Sequence, residues 1–466
     1  MNAYTITRAA GARLRSAALL ALLGTAACSP DEILAVTDPD VVNAAEVRSA
    51  DGANGVRIGA LSRLNAATSG GESLFLLGGL LADEYRSGDT FTQRNETDQR
   101  NVGYINANVS DAMRFTQRAR VAAQQAIDLL AQYDPEAPAR NVAEMYFVQA
   151  YTENLLADHF CSGIVLSTVK DGVEIYGSQL TGTEVWERAL AHADSGLALF
   201  GAADTTAADR RVRYALQVTK GRILLNLERY ADAAAAVAGV PTDFRYEMQH
   251  SSTSRENQIW ALNNSARRWT VSNGEGGPTI NYATANDPRV PVCRGGDTQC
   301  RAIGVTNSRV FDSGSTLPLY AQRLWPTRDA SVVILSGIEA RLVEAEAQLE
   351  SDPTGATTLA TLNTLRANAA ATGVSGLTAL TPQTTEAARV TQLFRERAFW
   401  LFSRGTRLGD MRRLMRQYDR TEAEVFPTGE YVKGGNYGTA VNFPIPQAEE
   451  NNPNVPRNQT CLDREP

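Results

Sequence analysis

Apolar residues recur at every third or fourth position along much of this chain of 466 residues, and this spacing constrains the fold more than any other feature. Such a period places the apolar side chains on one face of an α-helix, and that face must pack against another element. One stripe begins after Ser110, a suitable N-cap, and ends near Tyr133. Later stripes predict helices over about residues 140–159, 182–199 with Thr183 as the cap, 209–228 and 230–238. The pattern therefore predicts a mostly α protein.

The last two of these predicted helices follow each other closely enough to form a helical hairpin. Gly221 and Ala233 lie twelve residues apart, which is the small-residue spacing of a tetratricopeptide repeat, and Pro241 closes the pair. Small residues at those positions let two helices approach closely. One match of this kind is weak, but two or three hairpins in succession favour tetratricopeptide-like packing.

The helical pattern stops at about residue 242 and does not resume until about residue 332. In this interval aromatic residues are scattered among Gly, Asn, Ser and Pro: Trp260, Trp269, Tyr282, Tyr320 and Trp325. A segment of this length without strong helix signals is usually functional or an insertion. We predict irregular structure with short strands, and Ile259–Leu262 is a candidate for one of them.

Helical spacing returns in the C-terminal part of the chain. Ile338–Leu349 carries a clean apolar stripe, and a second helix is predicted over about 359–369. One long helix is predicted from Glu386 to Tyr418, and it holds the densest cluster of charged and aromatic residues, Arg395–Phe402. The predicted parts of the chain are a leader over 1–27, a helical part over 28–241, the irregular insertion over 242–332, and a second helical part with an extended tail over 333–466.

The N-terminus has the features of a secretory signal peptide. Arg8, Arg13 and Arg15 precede the apolar run Ala17–Leu23, and small residues lead up to Cys28. A positive start, an apolar core and small residues at the cut define such a signal. Leu23 to Cys28 resembles a bacterial lipobox, so we predict that Cys28 is acylated and anchors the mature chain. The alternative is cleavage by an ordinary signal peptidase, which leaves Cys28 as a plain thiol.

Composition excludes several classes of function. The formal net charge is −7, from 45 basic and 52 acidic residues, so a general nucleic-acid binder is not expected. The chain has three histidines, His159, His192 and His250, and no two of them lie at ligand spacing. We therefore expect no metal site and no cofactor. No run of about 18 apolar residues is present, which argues against an ordinary transmembrane span.

The five cysteines are too few for a disulfide scaffold, but an exported protein permits individual disulfides. Cys293 and Cys300 lie seven residues apart in a Gly-containing loop, and we predict that they form a local disulfide. Cys161 and Cys461 could pair across the fold or remain two unrelated thiols, and the sequence does not decide between these alternatives.

Four C-terminal motifs together resemble the SusD/RagB family of surface nutrient-binding lipoproteins. Glu339–Ala347 is similar to that family's helix ending in Ala-Glu-Ala, and Leu362–Arg366 is similar to its Leu-Asn-x-x-Arg helix. Arg395–Arg413 resembles the family's most recognisable stretch, and Phe443–Pro446 with the following Asn-Pro resembles its closing segment. The order of the predicted elements also fits, so the resemblance covers essentially the mature chain.

This resemblance implies a mostly α, SusD-like fold built around tetratricopeptide-like hairpins. It also implies a lipid-anchored protein on the outer face of an outer membrane, whose partner is a SusC-like TonB-dependent β-barrel transporter. The implied activity is capture of oligosaccharides or other nutrients without chemistry. Because aromatic residues make up only 7% of the chain, a peptide ligand is as plausible as a glycan.

Ligand capture would use exposed aromatic rings, amides and arginines, because sugar rings pack their C–H faces on aromatic planes and bond through their hydroxyls. Two stretches of the chain offer such residues, and ligands of the resembled family contact loops in such regions. The first candidates are Tyr85, Arg86, Asp89, Phe91, Arg94 and Tyr104. The second are Trp269, Asn273, Tyr282 and Trp325. Alternatively, Trp260 and Trp325 anchor long loops in the core.

Paired carboxylates could make the protein a secreted glycosidase, because such enzymes use two acids for acid–base catalysis. The candidates Glu339, Glu346 and Glu396 lie on helical stripes beside apolar residues, and Arg397 adjoins the last of them. Half-buried charges need partners, so ion pairs between packed helices are favoured over catalysis. Arg366, Arg397 and Arg407 are the candidate partners, and no catalytic residue is expected. A tetratricopeptide scaffold of the cell envelope is the remaining alternative.

Overall fold

The apolar stripes form helices, and these helices enclose most of the buried hydrophobic residues. The computed structural model describes residues 47–170, 173–457 and 461–464. The predicted leader and Cys28 lie outside the described residues. From Ser49 onward the chain forms one compact unit.

The long helices lie in two regions of the described chain, one before residue 230 and one after residue 336. The helices are α1 (Ala50–Ser69), α2 (Leu74–Leu81), α3 (Thr92–Asp98), α4 (Ala107–Tyr133), α5 (Ala139–His159), α6 (Gly182–Ala198), α7 (Ala207–Asn226), α8 (Tyr230–Val237), α9 (Gln258–Trp260), α10 (Thr298–Arg301), α11 (Gly337–Ser351), α12 (Ala356–Ala367), α13 (Ala369–Thr372), α14 (Glu386–Trp400), α15 (Arg407–Gln417) and α16 (Glu422–Val425). None of the described helices is long and apolar enough to cross a membrane.

The strands are short and pair in twos. They are β1 (Tyr85–Ser87), β2 (Ile164–Val165), β3 (Thr168–Lys170), β4 (Val173–Ile175), β5 (Gln179–Leu180), β6 (Arg245–Met248), β7 (Trp269–Val271), β8 (Val292–Arg294), β9 (Tyr320–Gln322) and β10 (Val332–Ser336). The antiparallel pairs are β1 with β7, β2 with β5, β3 with β4, β6 with β10, and β8 with β9.

Successive helices pack as hairpins, and small residues set how closely they approach. α4 packs on α5, α5 on α6, and α7 on α8. In the last pair, a Cβ atom added at Gly221 would lie 2.5 Å from Cγ1 of Val237, so this position has no room for a side chain. The predicted tetratricopeptide-like hairpin therefore forms as expected, and the mostly α fold class is confirmed.

Two predicted caps are wrong by a few residues. The helix expected to start at Ser110 begins at Ala107, because the side chain of Asn106 accepts hydrogen bonds from the backbone N–H groups of Asn108 and Val109. Thr181, and not Thr183, caps α6 and forms a capping box with Glu184. In both cases an earlier polar side chain satisfies the free N–H groups of the first turn.

The single long helix predicted from Glu386 to Tyr418 is also wrong, because the chain turns between α14 and α15. Ser403 and Gly405 adopt left-handed backbone angles, with φ of 57° and 67°. A Cβ atom at Gly405 would lie 2.4 Å from the ring of Phe75, so the core approaches this turn closely. The helical periodicity continues across the turn, and this is why the sequence pattern does not reveal it.

The strand predicted at Ile259–Leu262 is wrong as well. These residues form α9 and a following π-helical turn, because the side chain of Asn257 accepts a hydrogen bond from the backbone N–H of Trp260 and starts a helix. The nearest strand in the chain is β7. The expected irregular structure with short strands is otherwise present between β6 and β10.

The charged residues of the C-terminal helices are buried in ion pairs between helices. Glu339 pairs with Arg222 at 2.7 Å, and Glu396 accepts from Arg289 and Arg366 at 2.7 Å each. Arg407 was expected to pair with one of the glutamates, but it forms two hydrogen bonds with Asp83 at 2.7 and 2.9 Å. The carboxylates are therefore held as structural partners of arginine.

Two disulfides are present among the described residues. One joins Cys293 to Cys300 within the short loop, which is the pairing favoured from the sequence. The other joins Cys161 to Cys461, with a Cα–Cα distance of 5.8 Å and a sequence separation of 300. This second disulfide ties the C-terminal tail to the end of α5 and resolves the alternative that the sequence left open.

Candidate functional site

The pairing of β1 with β7 brings the two predicted ligand-binding stretches together. Tyr85 lies opposite Val271, and Ser87 lies opposite Trp269. Side chains alternate across a strand, so these four residues face the core while Arg86 and Thr270 lie on the opposite face. Residues almost two hundred positions apart in the sequence therefore share one small surface.

Two exposed phenylalanines and an arginine form the outer part of this surface, which we call the Phe91–Phe311 surface. The guanidinium of Arg268 lies between the two rings, 4.8 Å from the centroid of Phe91 and 4.2 Å from that of Phe311. The rings are 50% and 41% exposed. Two exposed aromatic rings that lie next to each other form an apolar patch, and such a patch marks a candidate binding surface.

Hydrogen bonds hold the second ring in place. The backbone N–H of Phe311 donates to the carbonyl of Arg267 at 2.9 Å, and that of Asp312 donates to Gly88 at 2.9 Å. The loop that carries Phe311 is thereby attached to the ends of both strands. The two rings stand on a fixed framework, which lowers the entropic cost of binding a ligand.

A buried carboxylate fixes the two arginines that contact the rings. Asp89 is fully buried and accepts from Arg94 and from Arg268 at 2.5 Å each. Lys433 adds a cation at this edge, because its ammonium lies 3.2 Å from the carboxylate of Asp312. Charge is close to balanced here, so the surface suits a neutral polar ligand better than a highly charged one.

A cavity of about 120 Å³ lies on the Arg86 face of the strand pair. It is lined by Arg86, Thr270, Val271, Asn273, Leu317, Pro318 and Tyr320. The carbonyl oxygen of the Asn273 side chain accepts from Thr284 at 2.6 Å, which fixes the amide plane. The cavity thus combines an aromatic ring, an amide and a guanidinium in a space suited to a small substituent.

Buried acids hold the guanidinium that reaches this cavity. Nε of Arg86 lies 3.2 Å from Oε1 of Glu275, whose side chain is fully buried. Burial raises the pKa of Glu275 well above its ordinary value, and the neighbouring Asp98 raises it further. Burial also raises the pKa of Asp98, although Arg86 opposes that shift.

The expected exposure is wrong for five of the nine predicted ligand-binding residues. Tyr85 donates to Ser403 at 2.9 Å in the core, and the ring of Trp269 packs edge-on against Tyr85. The rings of Tyr282 and Phe402 lie 4.9 Å apart. Apolar packing decided the placement of the four aromatic residues, whose rings fill core volume, and the two arginine partners decided the placement of Asp89. The buried residues are Tyr85, Asp89, Trp269, Tyr282 and Trp325.

The remaining predicted residues divide between the surface and its surroundings. Phe91 lies on the Phe91–Phe311 surface, and Arg86 and Asn273 line the adjoining cavity. Tyr104 is 37% exposed, and its carbonyl accepts from the backbone N–H of Gln447, away from the cavity lining. Trp325 follows the alternative interpretation, since it anchors the loop after β9 in the core.

The sequence did not single out Arg268 and Phe311 as site residues. Arg268 directly precedes a predicted site residue, Trp269, and this adjacency was the available signal. Phe311 stands alone in a polar stretch of the irregular segment, so nothing local distinguishes it from a core residue. Tyr320 was noted as an aromatic residue of that segment but not as part of a site.

This chain resembles known proteins in its fold. No protein-family model and no curated protein matches the sequence. Solved structures do match: a SusD superfamily protein from Bacteroides vulgatus ATCC 8482 shares 13% identity, covering 90% of this chain and 99% of that one, with a TM-score of 0.58.

Two further structures match over similar lengths. A SusD superfamily protein from Bacteroides thetaiotaomicron VPI-5482 shares 15% identity, covering 88% of this chain and 99% of that one, with a TM-score of 0.60. A SusD-like carbohydrate-binding protein from Bacteroides fragilis NCTC 9343 shares 16% identity over the same shares of the two chains, with a TM-score of 0.62. The chain therefore has the SusD-like helical fold.

Proposed function

We propose that this protein is a SusD-like nutrient-binding protein that captures a glycan on the Phe91–Phe311 surface. The observation that carries the proposal is the β1–β7 pairing: two exposed rings and a fixed guanidinium lie at one end of the pair, and residues of both strands line a small polar cavity. Structural neighbours described as carbohydrate-binding support the choice of ligand.

The chemistry of this surface matches that of a sugar. The C–H faces of a sugar ring lose water when they pack on Phe91 or Phe311, and this burial is favourable. Sugar hydroxyls can then bond with Arg268 and the carboxylate of Asp312 at the rim. A substituent of the sugar would enter the cavity, where Asn273 can bond to it.

Replacing Phe91 or Phe311 by alanine is expected to weaken glycan binding about tenfold, equivalent to about 1.4 kcal/mol. Each ring supplies apolar contact that no neighbouring side chain replaces. Binding is measured by calorimetry on a glycan panel. The matched control is Tyr176→Ala, because Tyr176 directly follows β4 and is about as exposed as the two phenylalanines. Unchanged affinity in both phenylalanine variants would reject this surface as the site.

We propose that the protein binds its ligand without chemical conversion. The carboxylates that could have served a glycosidase, Glu339, Glu346 and Glu396, are buried in ion pairs with arginine. A buried carboxylate held in this way is not available to protonate a substrate. Release of reducing ends from any polysaccharide by the purified protein would contradict this part of the proposal.

We further propose that Cys28 is acylated and that the protein acts on the outer face of an outer membrane with a SusC-like TonB-dependent transporter. The lipobox-like segment before Cys28 supports anchoring, and the SusD-like fold supports the partner. The protein extracted from membranes in mild detergent is expected to co-purify with a large β-barrel. Full-length protein recovered only as soluble material without such a partner would overturn the assignment.

A further inference from the structure

A second concave surface lies on α4, and none of its lining residues belongs to the Phe91–Phe311 surface or its cavity. This α4 groove has a volume of about 430 Å³. One wall includes Arg63 of α1, and the other is formed by the tail segment Pro446–Glu449. The floor is one face of α4, on which Val121 is half-buried and Met113 and Ala122 are buried beside it.

The groove is long enough for a helix. Its α4 residues run from Ser110 to Gln125 at intervals of three and four positions, so they form one stripe along the helix. At about 1.5 Å per residue, this stripe is about 22 Å long, which equals about four helical turns. An elongated groove with an apolar floor accommodates an amphipathic helix by the helix-in-groove mode.

The charge of the groove defines its partner more closely. Arg63 and Arg118 are exposed, and neither has an ion-pair partner among residues 47–170, 173–457 and 461–464. Arg114 is the third arginine of the groove and pairs with Asp111 at its exposed edge. Glu449 is the one carboxylate among the lining residues, so three arginines face one acid and the lining is positive overall.

An exposed apolar hairpin stands beside the groove. Nε2 of Gln117, which lines the groove, donates to the carbonyl of Val165 at 2.6 Å, so the chain leading into β3 lies against α4. On the adjoining hairpin, Val173 and Ile175 are 65% and 48% exposed, and Tyr176 follows them at 44%. Contiguous exposed apolar side chains of this kind mark surfaces that another molecule covers.

We propose that the α4 groove binds an acidic amphipathic helix of a partner protein. The apolar face of that helix covers Val121 and the floor around it, and its carboxylates reach Arg63 and Arg118. The β3–β4 hairpin extends the covered surface to one side of the groove. A polypeptide accounts for the length of the groove and for the exposed hairpin together, whereas a small anion would engage the arginines alone.

The test uses the folded chain and a synthetic 16-residue peptide of leucine, alanine and glutamate with leucine at i, i+3, i+4 and i+7. Calorimetry is expected to show saturable binding that weakens as salt rises, because the contacts between exposed charges are screened. The double variant Arg63→Glu with Arg118→Glu is expected to bind at least tenfold more weakly. A peptide with lysine in place of glutamate is expected not to bind the unchanged protein.

The matched control is Arg210→Glu with Arg229→Glu, which changes the net charge equally on the α7–α8 hairpin, where both arginines are exposed. It is expected to bind the acidic peptide like the unchanged protein, and Phe91→Ala is expected to do the same. Equal binding of both peptides, or equal loss in both double variants, would overturn the proposal. Arginine-dependent binding to phosphatidylglycerol vesicles without peptide binding would replace the helix with a membrane surface.

Because the glycan surface and the α4 groove share no lining residue, the two proposals fail separately. Loss of glycan binding in the phenylalanine variants with no peptide binding would leave only the proposed function standing. Unchanged glycan binding in the phenylalanine variants, together with arginine-dependent peptide binding, would leave only the proposed docking groove.

Discussion

Replacing Glu346 by alanine is expected to lower the free energy of unfolding by about 3–5 kcal/mol, because it leaves buried positive charge without its partner. Glu346 is fully buried on α11 and bonds to both terminal nitrogens of Arg413, one of them at 3.1 Å. Its second oxygen also lies 3.5 Å from Arg397. The hydroxyl of Tyr418 donates to the other carboxylate oxygen of Glu346 at 3.0 Å.

The cluster is neutral as a whole, and this balance explains the size of the expected effect. Asp410 accepts two hydrogen bonds from Arg397 at 2.8 Å and one from Arg413 at 2.8 Å. Burial would raise the pKa of Asp410, but the two arginines outweigh it and hold that pKa at about 2. Two carboxylates thus match two guanidinium groups, and removing Glu346 leaves one buried positive charge in excess.

The matched control is Glu187→Ala, which removes an exposed glutamate from α6 and is expected to change stability by less than about 0.5 kcal/mol. The double variant Glu346→Leu with Arg413→Leu is expected to be more stable than Glu346→Ala, because the Arg397–Asp410 pair remains intact. Urea unfolding followed by circular dichroism measures all three. A Glu346→Ala midpoint equal to that of the unchanged protein would mean that the cluster does not stabilise the fold.

Gly337→Ala is expected to destabilise the protein by about 3 kcal/mol, at the upper end of the usual range for overpacking. Gly337 begins α11 directly after β10, where the chain passes another backbone segment. A Cβ atom at this position would lie 1.8 Å from the carbonyl oxygen of Pro241. The neighbouring atoms are backbone, so relief would require the strand and the loop to separate.

The control for this substitution is Gly59→Ala within α1, where an added Cβ meets nothing within 4 Å. Alanine in an open helix interior is expected to stabilise the protein by up to about 1 kcal/mol. The two variants add the same methyl group and are compared by their unfolding midpoints. Similar midpoints for both would show that the close approach at Gly337 relaxes without cost.

Sequence patterns predicted most of the long helices from α4 onward, because each helix buries one face and a period near 3.6 records that face; they gave no individual prediction for α1, α2 or α3. The bounds of α5 and of the α7–α8 hairpin lie within two residues of their predicted limits. The patterns failed where a local side chain or turn decided the outcome. Asn106 capped α4 earlier than expected, and Ser403 with Gly405 broke a helix whose apolar spacing continues.

The candidate site was only partly predictable, because exposure depends on contacts between distant segments. An aromatic residue in a loop has the same local signature whether it fills the core, as Trp269 does, or stands exposed, as Phe311 does. Arg86, Phe91 and Asn273 were predicted because aromatic, basic and amide residues cluster in their stretches, and the structure places them at the candidate site. Arg268 belongs to the site because Phe91, Phe311 and Asp89 hold its guanidinium, and all three are distant from it in the sequence.

The sequence by itself determined the helical class, the break at the irregular segment and the residue types available for binding, because these follow from periodicity and composition. Only the tertiary structure decided that β1 pairs with β7, that Cys161 meets Cys461, and that the buried glutamates are held by arginine. Such pairings join residues far apart in the chain, and their free energy arises from burial and charge matching that no local pattern records.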